Sequence, residues 1–247
     1  MRAFNTMLKT ELKLSLRGMD MLIFAICMPL VVLVILGIIY GSKPAFAGAS
    51  YTFLEQSFGA LAAISICAGG VMGLPLVISD YRGRKILKRF KVTPVSPALI
   101  LLVQLVIYTL YSLVSLVLLY AVGAIFFGLR LRGSLPQFIG GYLLVLVSMF
   151  SIGMMVGGIA RDTKIAGVIA SILYFPMLIF SGATLPYEVM PPVMQKAADF
   201  MPLTQGIKLL KAASLGLPAE NVLLPIVIMT VLAVVCVIVA IKFFRWE

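Results

Sequence analysis

The chain has 247 residues, 62% of them hydrophobic and only 12% charged, with a formal charge of +11. So few charges cannot cover a water-soluble surface of that size, and apolar runs of bilayer-spanning length recur throughout, which excludes a soluble globular core. The basic surplus is read as marking the cytoplasmic face of a membrane protein rather than a nucleic-acid surface, since no soluble binding module accompanies it.

In chain order, residues 1–20 come first. Phe4, Leu8, Leu12 and Leu16 recur at i, i+4 steps, with Lys9, Lys13 and Arg17 on the opposite side. The pattern favours an interfacial helix, its stripe in acyl chains and its cations among anionic headgroups, over a basic flank that only sets topology. Apolar runs then predict six spans, at 22–40, 57–78, 98–127, 138–160, 165–181 and 222–244. The Ala45-Phe46-Ala47 triplet resembles a signal-peptide cleavage site, but run 22–40 exceeds the roughly 7–15 residues of a signal core and reads as a retained anchor. Pro29, Pro75 and Pro176 fall inside spans and are expected to kink them, each removing a backbone donor. Cys27, Cys67 and Cys236 lie in apolar runs without CxxC spacing and read as fillers. The GxxxG spacings at Gly37/Gly41, Gly69/Gly73 and Gly153/Gly157 fit internal helix packing better than a subunit interface.

Between the second and third spans lies a basic segment, 80–97. Ile86, Leu87 and Phe90 form a small apolar face among Arg84, Lys85, Lys88 and Arg89, and Pro94 and Pro97 end any helix there. The pattern fits either a docking element for a partner protein or a solvated cytoplasmic loop. No phosphate-binding loop is present: Gly41-Ser42-Lys43 lacks the upstream glycine. The chain contains no His, and no cluster of catalytic or metal-ligating groups stands out, so neither an enzyme nor a metal site is expected. Ionisable residues within the spans are scarce, which argues against ion-coupled transport. Glu55, at the mouth of the second span, reads as an ordinary interfacial acid, and Gln104 is the main amide of the third.

Placing the N-terminus inside assigns Arg2, Lys9, Lys13, Arg17, the cations of 82–91, Arg161, Lys164, Lys242 and Arg245 to the cytoplasm. Only Lys43, Arg130, Arg132, Lys196, Lys208 and Lys211 fall outside, so both termini are expected in the cytoplasm. The stretch 181–211 then lies outside. Broken by Pro186, Pro191, Pro192 and Pro202, it is too polar to span and reads as two short helical pieces dipping at the membrane surface.

Three blocks together resemble the ABC-2 family of ATP-binding-cassette transporter permeases: Arg82-Gly83 with Leu87 and TPVS at 93–96; FSIGMMVGGIARD at 150–162; and SG at 181–182, LP at 185–186, MPP at 190–192 and MPLTQGIKLLK at 201–211. The resemblance covers nearly the whole chain. Tyr81 and Arg84 flank the Arg-Gly pair where relatives often have an acid and a threonine, and Lys211 stands where relatives commonly have Arg.

The resemblance implies a single all-α membrane domain over 1–247, with six transmembrane helices, an N-terminal interfacial helix at 1–20, a cytoplasmic coupling loop at 80–97 and a re-entrant external segment at 182–221. It implies a bacterial plasma-membrane, multi-pass permease that pairs with a second copy or a related permease and contacts membrane lipids. A separate ATPase subunit would bind ATP and Mg, leaving this chain without a cofactor. Coupling to that subunit would pass through Arg82, Gly83, Lys85, Ile86, Leu87 and Phe90, with Arg161 and Asp162 as a smaller contact. An external gate would contain Ser181, Gly182, Leu185, Pro186, Pro191 and Pro202. The implied cargo is hydrophobic or amphipathic, such as a drug, a peptide antibiotic or a lipid; a lipid-linked glycan, or an ATP-independent channel or scaffold, is the alternative.

Overall fold

A computed structural model describes residues 2–18, 22–41, 43–46, 48–86, 97–181, 190–217 and 222–243. The described residues are helical apart from short connections and an isolated bridge between Pro44 and Thr52. In order they form α1 (Arg2–Gly18), α2 (Ile23–Tyr40), α3 (Phe53–Gly83), α4 (Pro97–Phe127), α5 (Leu135–Ile159), α6 (Thr163–Phe180), α7 (Pro192–Asp199), α8 (Pro202–Leu215) and α9 (Leu223–Phe243). Six of these, α2 to α6 and α9, are long and apolar enough to cross a membrane.

The spans agree with the apolar runs except at α3, which extends beyond both ends of 57–78. Its first turn is fixed by a capping box: Glu55 N–H donates to Thr52 Oγ1 at 3.2 Å, and Thr52 N–H donates back to Glu55 Oε2 at 2.9 Å. Its last turn carries Asp80, Tyr81 and Arg82, polar groups that find partners and so do not end the helix.

Pro29 and Pro75 leave their helices continuous. Each follows a widened segment, Ile23–Cys27 and Ala68–Gly73, in which Met28 N–H reaches Ile23 O and Leu74 N–H reaches Gly69 O, five residues back instead of four. Pro29 has no N–H to offer Ala25 O, and the Ser65 hydroxyl of α3 donates to that carbonyl at 2.5 Å. Pro176 lies inside α6.

Helices α3 and α5 form the centre, while α2, α4, α6 and α9 turn much of their apolar surface outward. Lipid tails are as apolar as leucine, so contact between spans depends on close approach. A Cβ on Gly153 would lie 1.9 Å from Gly70 O, and one on Gly157 3.0 Å from Ile78 Cβ. The Gly153/Gly157 pair therefore packs inside the subunit.

Candidate functional site

Arg82 is 7% exposed, in the last turn of α3. Its Nη2 donates to Gly158 O at 3.2 Å and its Nη1 to Ala160 O. The C-terminal carbonyls of α5 have no partner within their own helix, and a guanidinium is suited to two of them at once. Immediately beyond, Arg161 and Asp162 are exposed, and Asp162 caps α6 by accepting from Ile165 N–H at 2.8 Å. Two segments that are far apart in sequence thus meet at one end of the bundle.

Gly83 is exposed in that same last turn, so the helix break falls after the Arg-Gly pair. Arg84 pairs with Asp80 at 2.9 Å on the surface, and Lys85 adopts φ 57°, ending the helix. Ile86 packs beside Tyr81 and Ile100. Leu87 and Phe90 lie outside the described residues.

Helix α1 docks at this end. Phe4, Met7, Leu8 and Leu12 pack against the bundle, while Lys9, Lys13 and Arg17 face away. Most of the apolar stripe read as entering acyl chains is therefore covered by protein, with Leu16 left exposed. The reason is the polar pair sharing that face. Glu11 Oε2 accepts from the Tyr81 hydroxyl and from Gln104 Nε2 at 3.0 Å, and Tyr81 Oη accepts from Gln104 Nε2 at 3.1 Å. Ser15 Oγ accepts from Tyr111 at 2.8 Å. Sequence reasoning missed Glu11, although its position between Leu8 and Leu12 on a basic helix marks an acid facing inward.

At the opposite end the broken segment forms two short helices. Pro192 and Pro202 each occupy a first turn, where a missing N–H costs nothing, and Pro191 precedes α7. Ser181, 1% exposed, donates to Leu178 O at 2.9 Å. Gly182, Leu185 and Pro186 lie outside the described residues. Gln205 Nε2 and Lys208 Nζ both bind Asp199, at its carbonyl and its carboxylate, each at 2.6 Å.

Helix α8 is buried along most of its length rather than lying on the surface. Its Gly206 faces Val145 and Met229, Leu209 faces Gly141, and a Cβ on Gly59 would lie 2.9 Å from Lys211 N. Arg132 and Gly133 N–H groups both donate to Ser214 O at 3.0 Å, and Arg132 Nε reaches Glu55 Oε2 at 3.1 Å. Between α2, α3 and α6 lies an apolar cavity of about 550 Å³, lined by Phe24, Met28, Leu61, Met72, Tyr174 and Phe175 among others.

Residues 2–215 match the family model for ABC-2 type transporters. The chain is also similar to the "Inner membrane transport permease YhhJ" of Escherichia coli K12, 34% identical over 85 residues, which is 34% of this chain and 23% of that protein. It is similar to "Nodulation protein J" of Rhizobium leguminosarum bv. viciae, 33% identical over 95 residues, or 38% of this chain and 37% of that one. The matched region thus covers well under half of either relative. With its six apolar helices, this chain is a multi-pass plasma-membrane protein and belongs to the ABC-2 type transporter family.

Proposed function

We propose that the chain is the permease subunit of a bacterial exporter driven by a separate ATPase, working as a pair with a second copy or a related permease. The observation that carries this reading is the Arg82 contact with Gly158 and Ala160, which joins the last turn of α3 to the C-terminal end of α5. ATP closure can shift a transport equilibrium only through contacts that differ between its two states. A surface of Gly83, Lys85, Arg161 and Asp162, with Ile86, Leu87 and Phe90 following Lys85 in the sequence, would give the ATPase a single place to push. The basic residues concentrated at this end support its facing the cytoplasm. ATP and Mg are bound by the ATPase, and this chain carries no catalytic step.

The cargo is hydrophobic or amphipathic, a drug, a peptide antibiotic or a lipid. The apolar cavity between α2, α3 and α6, with the Tyr174 side chain at its wall, suits such a molecule. Helix α8, with Ser181, Pro191 and Pro202 around it, acts as the external gate. The deciding experiment replaces Ile86, Leu87 and Phe90 by polar residues and follows membrane insertion, ATPase co-purification and vesicle transport. Insertion is expected to persist while the other two fail; unchanged co-purification and transport would sink the assignment. Uptake driven by a proton gradient without ATP would reject the exporter reading as a whole.

A further inference from the structure

A cavity of about 290 Å³ opens at the α1 end, walled by Glu11 and Ser15 of α1, Asp80 and Tyr81 of α3, Gln104 of α4 and Thr163 of α6. Leu14, Leu76 and Val77 make the rest of its wall apolar. Glu11 is half-buried, and both hydrogen bonds to its side chain come from neutral donors, Tyr81 and Gln104, on Oε2 alone. No cation among the described residues pairs with it. Asp80, by contrast, is already paired with Arg84.

Gln104 supplies the independent observation. It is 4% exposed, and its amide nitrogen is committed to Glu11 and Tyr81, which fixes which way the amide faces. Its carbonyl oxygen accepts nothing from the described residues. Neither that oxygen nor the second Glu11 oxygen is among the fully buried atoms left without a partner, so both remain open to the cavity and accessible to an N–H donor. The cavity thus presents one uncompensated negative charge, an unused Glu11 oxygen and an unused amide oxygen, with the Ser15 hydroxyl nearby.

We propose that this cavity binds a primary ammonium group, whose N–H donors match those acceptors and whose charge neutralises Glu11. Such a group is carried by the ethanolamine headgroup of a phospholipid in the adjoining leaflet or by a free alkylamine. The mixed polar and apolar wall suits the headgroup, which brings a carbon chain with it. A quaternary ammonium has no N–H and satisfies neither oxygen. Occupancy would hold α1 against α3 and α4, so the headgroup would act as a pin for that helix.

The test uses the full chain in nanodiscs of phosphatidylcholine, of phosphatidylethanolamine, and of its mono- and dimethylated forms. Native mass spectrometry should find phosphatidylethanolamine retained over phosphatidylcholine by roughly tenfold, with retention falling at each methylation. Glu11→Gln should bring the lipids to parity. Free ethanolamine that raises the melting temperature in phosphatidylcholine discs assigns a free amine as the ligand; a response to the lipid alone assigns the headgroup. Equal retention along the series with no response to ethanolamine overturns the site, as does a preference that survives Glu11→Gln. The methylation series is read on the unsubstituted protein, so it stands even if that variant does not fold.

Discussion

Arg132 in the connection before α5 donates from Nε to Glu55 Oε2 at 3.1 Å, while the same oxygen accepts Thr52 N–H at 2.9 Å. A single carboxylate thus caps α3 and anchors the loop that holds Ser214 of α8. Glu55 is buried and Arg132 is 42% exposed, so the two ends of the pair are not equivalent. Glu55→Ala is expected to cost about 2 kcal/mol, through the lost cap and the loosened loop. Arg132→Ala should cost more, about 3 kcal/mol, because it leaves the buried Glu55 carboxylate without its cation, whereas in Glu55→Ala the freed guanidinium can turn to water. Thermal unfolding in detergent compares the two, and equal losses would contradict the asymmetry.

Substitutions at Arg82 test whether folding can be separated from the proposed coupling. Arg82→Ala leaves the Gly158 and Ala160 carbonyls without their donor and is expected to cost about 3 kcal/mol. Arg82→Lys keeps the charge, but one ammonium lacks the planar fork that reaches both oxygens. That variant should insert normally with a modest drop in melting temperature, yet stimulate the ATPase less. If ATPase stimulation follows melting temperature across both variants, Arg82 has no positioning role.

Gly153 tests the central contact. An alanine there would put a methyl 1.9 Å from Gly70 O, a backbone atom that cannot turn away. Gly153→Ala must push α3 and α5 apart, at a cost of about 1–3 kcal/mol or more. Gly140→Ala is the control, since a Cβ there meets nothing within 4 Å. Comparable yields of folded protein from both would refute the packing argument.

Movement of α8 can be tested by tethering. Gly141 and Leu209 approach closely enough that a Cβ on the glycine would lie 3.3 Å from Leu209 Cγ. Cysteines at both positions, linked by a short crosslinker, should stop transport if α8 opens as a gate, and a cleavable linker should restore it. Transport that continues through a fixed α8 would leave the gate elsewhere. Cys67 and Cys236 are buried, which limits their interference.

The sequence made the spans legible because apolar runs announce themselves, and the prolines of 191–202 marked two short helices because proline favours a first turn. It misjudged the reach of α3 because Glu55, Asp80 and Arg82 look like helix ends until their partners are seen. The burial of α8 was hidden for a similar reason: Gln205, Lys208 and Lys211 suggest a surface helix, whereas Gln205 and Lys208 bind Asp199. Arg82 was legible as a site residue, but its carbonyl partners were not, since backbone acceptors have no residue-type signature. Glu11 could have been found from its place on the stripe.

The widened turn at Ala68–Gly73 also sets an angular phase. One residue more per turn offsets everything downstream on α3 by roughly 100° relative to an unbroken helix. Tyr81 and Arg82 therefore point at Glu11 and at the end of α5 only because the upstream glycines absorb that surplus residue. Deleting Gly70 would leave a smoother helix, one residue shorter, yet swing the phenol and the guanidinium away from both partners. The glycines thus act as a rotational offset, setting at mid-helix what the far end can grasp.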